Sequence, residues 1–180
     1  MAESMKLYTG LDVIQNTHKM SIKTKRHDID KDIKSSSFKI KFGIKNEDDW
    51  KLQLYGEFVT YDKAPIDNHN KKFDTHFTEF GLDLIKGFHL TSKFSPFIQL
   101  GSGFGLVSVY GFTEDYISEF TLKAGTGIIY KATQNLELIL GFDIQYRDWY
   151  DAVISYHGNS STVLITETMN KFYVGTNFYF

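Results

Sequence analysis

Cysteine is absent from this chain of 180 residues, and proline occurs only twice. No cysteine means no disulfide, no thiolate metal site and no cysteine nucleophile. An excess of one charge sign is also missing. Twenty Lys and Arg stand against 22 Asp and Glu, a formal net charge of -2, which argues against a nucleic-acid partner. No run of about 18 apolar residues exists, so a transmembrane helix is excluded. No segment carries a sustained apolar stripe at i, i+3, i+4, i+7, so helices are not expected. No His/Cys metal spacing or Gly-rich phosphate loop occurs, and no cofactor is expected. The opening stretch MAESMKLYTG lacks an apolar signal core. That leaves a cytoplasmic protein, or a mature chain whose signal was replaced by an initiator Met.

Aromatic residues, by contrast, make up 16% of the chain. Much of the apolar content falls on every second position, the period of a strand. In SFKIKFGIK, Phe38, Ile40, Phe42 and Ile44 share one face, and Lys39, Lys41, Gly43 and Lys45 the other. The same reading holds at SMKLYTGLDVI, WKLQLYGEF, TEFGLDLI, PFIQLGSGFGLV, FTLKAGTGIIYK and LELILGFDIQYR, and at the terminal KFYVGTNFYF. Eight strands follow. Connections at NEDD, around KGFHLTSK and at KATQN are short. Those at roughly Gln15 to Ser37, DKAPIDNHNKK, YGFTEDYIS and YDAVISYHGNSST are long. An even number of strands with short turns at one end and long loops at the other predicts one domain, residues 1–180. Its fold class is all-β: an eight-stranded antiparallel up-and-down barrel.

A soluble barrel buries its apolar face; a membrane barrel turns that face to lipid and keeps a polar lumen. The polar face carries Lys39, Lys41, Glu57, Glu79, Asp83, Lys123, Glu137 and Asp143 in mid-strand, with both signs able to pair in a closed lumen. It also carries Gly101, Gly103 and Gly105, small residues suited to a tight interior. Aromatics gather near strand ends: Trp50, Phe94, Tyr130, Phe178 and Phe180 toward the short turns, and Tyr61, Tyr110, Tyr146, Trp149 and Tyr150 toward the long loops. Two such girdles are expected where a barrel meets the membrane interfaces. The transmembrane orientation is therefore expected. The terminal face Phe172, Val174, Phe178 and Phe180 is then buried by lipid rather than by chain.

SPFIQLGSGFG, FTLKAGTGIIYKATQNLELILGFDIQYR and the terminal YVGTNFYF resemble the small bacterial outer-membrane β-barrels of the outer-membrane protein A/X type. The resemblance implies residence in the bacterial outer membrane, with periplasmic short turns and extracellular long loops. It implies a monomer in contact with outer-membrane lipid and lipopolysaccharide. Gly175, Phe178 and Phe180 match the family's assembly signal, read by the barrel-assembly machinery.

Three candidate sites emerge. The first is the lumen set, Asp12, Lys39, Lys41, Glu57, Glu79, Asp83, Lys123, Glu137, Asp143 and Arg147, with Lys51 and Lys171 on the same face. It is either an ion path or an internal salt-bridge plug, and the narrow bore favours the plug. The second is SYHGNSS, with Ser155, His157, Ser160 and Ser161. It resembles loosely the His-x-Ser-Asn motif of lipid A deacylases. Asn159 stands where that nucleophile belongs, so no enzyme is expected. The third is the first long loop, where Lys23, Lys25 and Arg26 offer contact with an anionic surface. The function expected is structural or surface-interacting: adhesion, membrane integrity, lipopolysaccharide contact or binding of a host or cell-surface ligand. Passive transport of a small apolar molecule and lipid A modification stand as alternatives.

Overall fold

A computed structural model of the protein describes residues 5–23, 28–64, 67–68, 71–110, 116–156 and 159–180. Eight long strands follow one another: β1 (Lys6–Lys23), β2 (Asp28–Lys45), β3 (Trp50–Tyr61), β4 (Lys71–Gly87), β5 (Phe94–Tyr110), β6 (Tyr116–Lys131), β7 (Leu136–Tyr156) and β8 (Asn159–Tyr179). Two further extended residues, Asp67–Asn68, pair with the start of β4. Each strand is antiparallel to its neighbours, and β8 returns to pair with β1, which closes the sheet.

Cross-strand partners followed once around the barrel run Leu11, Ile40, Gly56, Phe80, Phe104, Phe120, Asp148, Thr166 and back to Ser21. The path returns to β1 ten residues further along. Eight strands with a stagger of ten must tilt by roughly 40°, and the bore is just wide enough for side chains to fill.

The alternation seen in the sequence sets what faces lipid. Leu54, Leu100, Leu140 and Val174 are all exposed by more than half, while Lys39, Glu57, Asp83 and Asp143 on the other face are fully buried. Water cannot explain that distribution; a hydrocarbon exterior can. The short turns behave as expected. In the first, Asn46 and Trp50 close the hairpin through backbone and side-chain bonds, and Asp49 sits at φ 60°. Its carboxylate contacts Lys45 Nζ and His89 Nδ1 of the next turn.

The long-loop end differs from expectation. Residues Gln15 to Ser37, expected as a loop, form a paired hairpin in which β1 runs to Lys23 and β2 begins at Asp28. YDAVISYHGNSST likewise lies within β7 and β8, apart from residues 157 and 158, outside the described residues. Strands β7, β8, β1 and β2 therefore rise as a four-stranded sheet beyond the ends of their neighbours. Pairing of β2 with β3 stops at Ser35↔Tyr61, and that of β6 with β7 at Glu119↔Trp149.

Polarity inverts in this upper storey without any change of alternation in β1. Outward positions pass from Leu11 and Val13 to Gln15, Thr17, Lys19 and Ser21, while inward positions pass from Asp12 to Met20 and Ile22. Water replaces lipid outside, so the apolar side chains move inside. Met20, Ile22, Ile33, Val59, Tyr61, Phe77, Val107, Val109, Ile117, Trp149 and Ile165 form one buried cluster that caps the lumen. Tyr61 and Trp149, expected in the outer girdle, belong to this lid, at 3% and 2% exposure. Tyr146 and Tyr150 do face outward.

Candidate functional site

The interior between the lid and the short turns is a stack of ion pairs. At the bottom, Lys51 Nζ donates to Glu137 at 2.5 Å, and Tyr179 OH donates to the same carboxylate at 2.8 Å. An apolar cluster of Ile85, Phe97, Ile129 and Ile139, with Ile14 and Tyr173, lies among the lower tiers. Lys41 then pairs with Asp12 at 2.5 Å, Lys123 with Asp83 at 2.7 Å, and Lys171 with Glu57 at 2.8 Å. Lys39 stands 3.6 Å from Glu57. Amides fill remaining valences: Gln53 donates to Asp83 and Gln99 to Asp143, both at 2.8 Å.

The third tier gathers around Arg147. Its guanidinium reaches Glu167 at 2.8 Å, Glu79 at 2.9 Å and Glu119 at 3.4 Å, and donates to Tyr61 OH at 2.9 Å. Tyr55 OH and Gln145 Nε2 also donate to Glu79. Glu119 is held most loosely; neither of its oxygens accepts a hydrogen bond among the described residues. Aromatic faces complete the packing, with Lys123 Nζ 3.7 Å from the Tyr55 ring centroid and Arg147 Cζ 4.4 Å from that of Phe77.

All ten lumen residues named from the sequence are buried and brought together. Glu119, Glu167 and His18 were not named. Glu119 stands four residues before Lys123, and Glu167 four before Lys171, so each continues the inward phase of its strand. That phase was the signal available. Glu79 is neutralised by Arg147.

Gly175 faces the lumen, where Asp12 occupies the space that a side chain would need. Phe178 and Phe180 face outward, their rings 5.6 Å apart edge to face. Lys23 ends β1 opposite Asp28, and Lys19 stands opposite Asp32. Lys25 and Arg26 lie outside the described residues. So does His157, and the side chains of Ser155, Ser160 and Ser161 are likewise not described.

One arrangement has the connectivity of a hydrolase triad. His18 Nδ1 lies 2.6 Å from Glu167, and His18 Nε2 lies 2.6 Å from Ser35 Oγ. A neutral imidazole that keeps its proton on Nδ1, toward the carboxylate, would accept from Ser35 at Nε2, the roles a triad requires. A nucleophile also needs room for a substrate and donors for an oxyanion. Ser35 is 2% exposed under the lid, its oxygen already accepts from Asn16 Nδ2 at 2.9 Å, and Arg147 is committed to the carboxylates. The chain Glu167, His18, Ser35, Asn16, Ser37 and Glu57 instead links the upper and middle tiers along the β1–β2 wall. Among the described residues no group of three or more His, Asp or Glu is placed to hold a metal ion.

No protein-family model matches the chain, and no curated protein matches it in sequence. Solved structures do match. Neisserial surface protein A is similar with a TM-score of 0.59 at 18% identity, over 94% of this chain and 97% of that one. The outer membrane protein OprG from Pseudomonas aeruginosa gives 0.62 at 15% identity, over 97% and 96%. The outer membrane protein AlkL, solved by solid-state NMR in lipid bilayers, gives 0.55 at 11% identity, over 97% and 90%. The chain thus has the fold of bacterial outer-membrane β-barrels, and its apolar outer band is the surface that such a fold sets in the membrane.

Proposed function

We propose that this barrel serves the outer membrane and its surface, and neither conducts solutes nor catalyses a reaction. The lumen carries the reading. Its charged side chains from Glu137 up to Glu167 are buried, most of them in ion pairs and Asp143 on the amide of Gln99, and the apolar lid lies above them. The cavity beside Lys41, Lys51 and Gln99 measures about 20 Å³, room for about one water. Transport through the bore needs a continuous path, and the buried ion-pair tiers with the lid above them argue against one.

What the protein offers its surroundings is outside. The apolar band contacts lipid, and the raised sheet of β7, β8, β1 and β2 stands where lipopolysaccharide sugars and phosphates, or another cell surface, meet it. Phe178 and Phe180 project from the last strand, as a signal for the barrel-assembly machinery requires. The triad-like link at Ser35 supports no lipid hydrolysis while its nucleophile is sealed. Planar bilayers test the reading: purified protein gives no steady conductance, and liposomes carrying it do not swell in small sugars. Reproducible porin-like currents would overturn the plug and put transport first.

A further inference from the structure

We propose that the cavity beside Lys41 is a built site for one small neutral molecule that both donates and accepts hydrogen bonds, a single water held between the lower ion pairs. A plug can be dry; hydration of this one at a defined place goes beyond the closed-barrel reading.

The cavity measures about 20 Å³ and has two unlike walls. Ile85, Phe97, Ile129 and Ile139 form the apolar one. The other is lined by Lys39, Lys41 and Lys51, with Asp12 and the amide side chains of Gln53, Gln99 and Asn177. The three amide nitrogens are committed to carboxylates: Gln53 to Asp83 and Gln99 to Asp143, both at 2.8 Å, and Asn177 to Glu137 at 3.3 Å. What these amides can still offer a neighbour is oxygen. The Gln53 oxygen accepts from Tyr8 OH at 2.9 Å. The Asn177 oxygen has no hydrogen-bond partner among the described residues, although Asn177 is 1% exposed. A buried amide oxygen without a donor is costly, and an internal water commonly supplies one.

Gly10 shows where the water's own donor stands. A side-chain carbon on that glycine would lie 2.5 Å from Asn177 Oδ1 and 2.9 Å from Lys41 Cε. The orphan oxygen and the end of the lysine therefore flank one spot on the β1 wall. Lys41 gives Asp12 one of its three ammonium protons, at 2.5 Å. A molecule between them accepts from Lys41 and donates to Asn177.

Charge decides the class of ligand. An anion would meet the Asn177 oxygen and the Asp12 carboxylate, while Lys41 and Lys51 are already neutralised by Asp12 and Glu137 at 2.5 Å. A cation would meet three lysines. A neutral donor and acceptor suits both kinds of neighbour, and about 20 Å³ admits a water and little more. The apolar wall gives that water no partner, so its bonds all run to the polar side.

A high-resolution crystal structure of the full chain should show one isolated density peak within hydrogen-bond distance of Asn177 Oδ1 and Lys41 Nζ. In NMR of the full chain refolded in detergent, the methyl groups of Ile129 and Ile139 should receive magnetisation from water. Asn177→Leu, which removes the acceptor, should abolish that transfer while SDS-resistant migration persists. Ile139→Phe fills the space from the apolar wall with Asn177 intact, and should abolish the transfer at Ile129. Bromide and xenon are the opposing probes. An anomalous bromide peak in the cavity would make it an anion site; bound xenon would make it a dry apolar void. Either result overturns the proposal, as does an absence of transfer in the parent protein or its persistence in both variants. None of these readouts depends on bilayer conductance, so failure here and failure of the closed-barrel reading are told apart.

Discussion

Replacing Arg147 with Met probes the upper tier directly. One guanidinium holds Glu79, Glu119 and Glu167 at 2.9, 3.4 and 2.8 Å, and all four side chains are fully buried. Methionine keeps much of the volume and removes the charge. Three carboxylates then remain; Glu167 keeps His18, Glu79 keeps the neutral donors Tyr55 and Gln145, and the guanidinium that faced all three is gone. Removing one partner of a buried ion pair costs about 3–5 kcal/mol, and three stranded anions put the loss at about 5 kcal/mol. Urea titration in lipid vesicles measures it. Trp149 reports the tier, since its ring centroid is 5.5 Å from Arg147 Cζ and 5.5 Å from that of Phe77. Trp50→Phe in the background leaves one signal, because the chain has two tryptophans. A second protein adds Glu79→Gln, Glu119→Gln and Glu167→Gln to Arg147→Met. It should recover most of the loss, because exchanging a whole buried ion cluster for neutral groups is often close to neutral. A loss below about 1 kcal/mol for Arg147→Met, the size of an exposed pair, would refute the reasoning. So would an absence of recovery in the quadruple variant.

Leu100→Arg, on the lipid face, should cost about 2–4 kcal/mol in vesicles, and Thr17→Arg, above the band, about 0–1 kcal/mol; the reverse order would place the membrane wrongly. Gly175→Ala should cost about 1–3 kcal/mol in the same titration, because its Cβ would meet Asp12 and lie 2.8 Å from the Leu11 carbonyl. A fluorophosphonate probe should leave Ser35 unmodified in the folded protein; an adduct at Ser35 that disappears in His18→Ala would make the triad catalytic. Deleting Phe180 should impair assembly in cells more than refolding in detergent, read by heat-modifiable migration, and equal losses would reduce Phe180 to an interfacial anchor.

Within the membrane the fold was legible because one rule holds throughout: alternate positions face lipid and lumen, and their chemistry differs sharply. Phe38 to Lys45 could be read residue by residue. Above the membrane the rule changes sign. In β1 the apolar set moves from odd positions, Leu11 and Val13, to even ones, Met20 and Ile22. A search for one unbroken apolar face loses phase at Gln15 and sees a loop. Trp149 and Tyr61 were misplaced for the same reason, since an aromatic near a strand end joins a girdle only if it is in the outward phase. The lumen charges were visible because nothing else explains Lys39 or Asp143 in mid-strand. Their pairing was not visible, since partners such as Lys171 and Glu57 lie on strands that are not adjacent and meet across the bore.

The inversion of polarity also fixes how deep the barrel sits. The outer surface turns from Val13 to Gln15, from Phe38 to Ser36 and from Phe172 to Asn170, each within a single outward step. At this tilt one step is about 5 Å of height. Sinking by that much would carry Gln15, Ser36 and Asn170 into hydrocarbon; rising by as much would lift Val13, Phe38 and Phe172 into water. Both displacements are opposed around the same rim, so the molecule is held like a float at its waterline. The raised sheet of β7, β8, β1 and β2 is thereby kept at a constant altitude over the bilayer, presented to whatever approaches from outside at a distance the membrane cannot swallow.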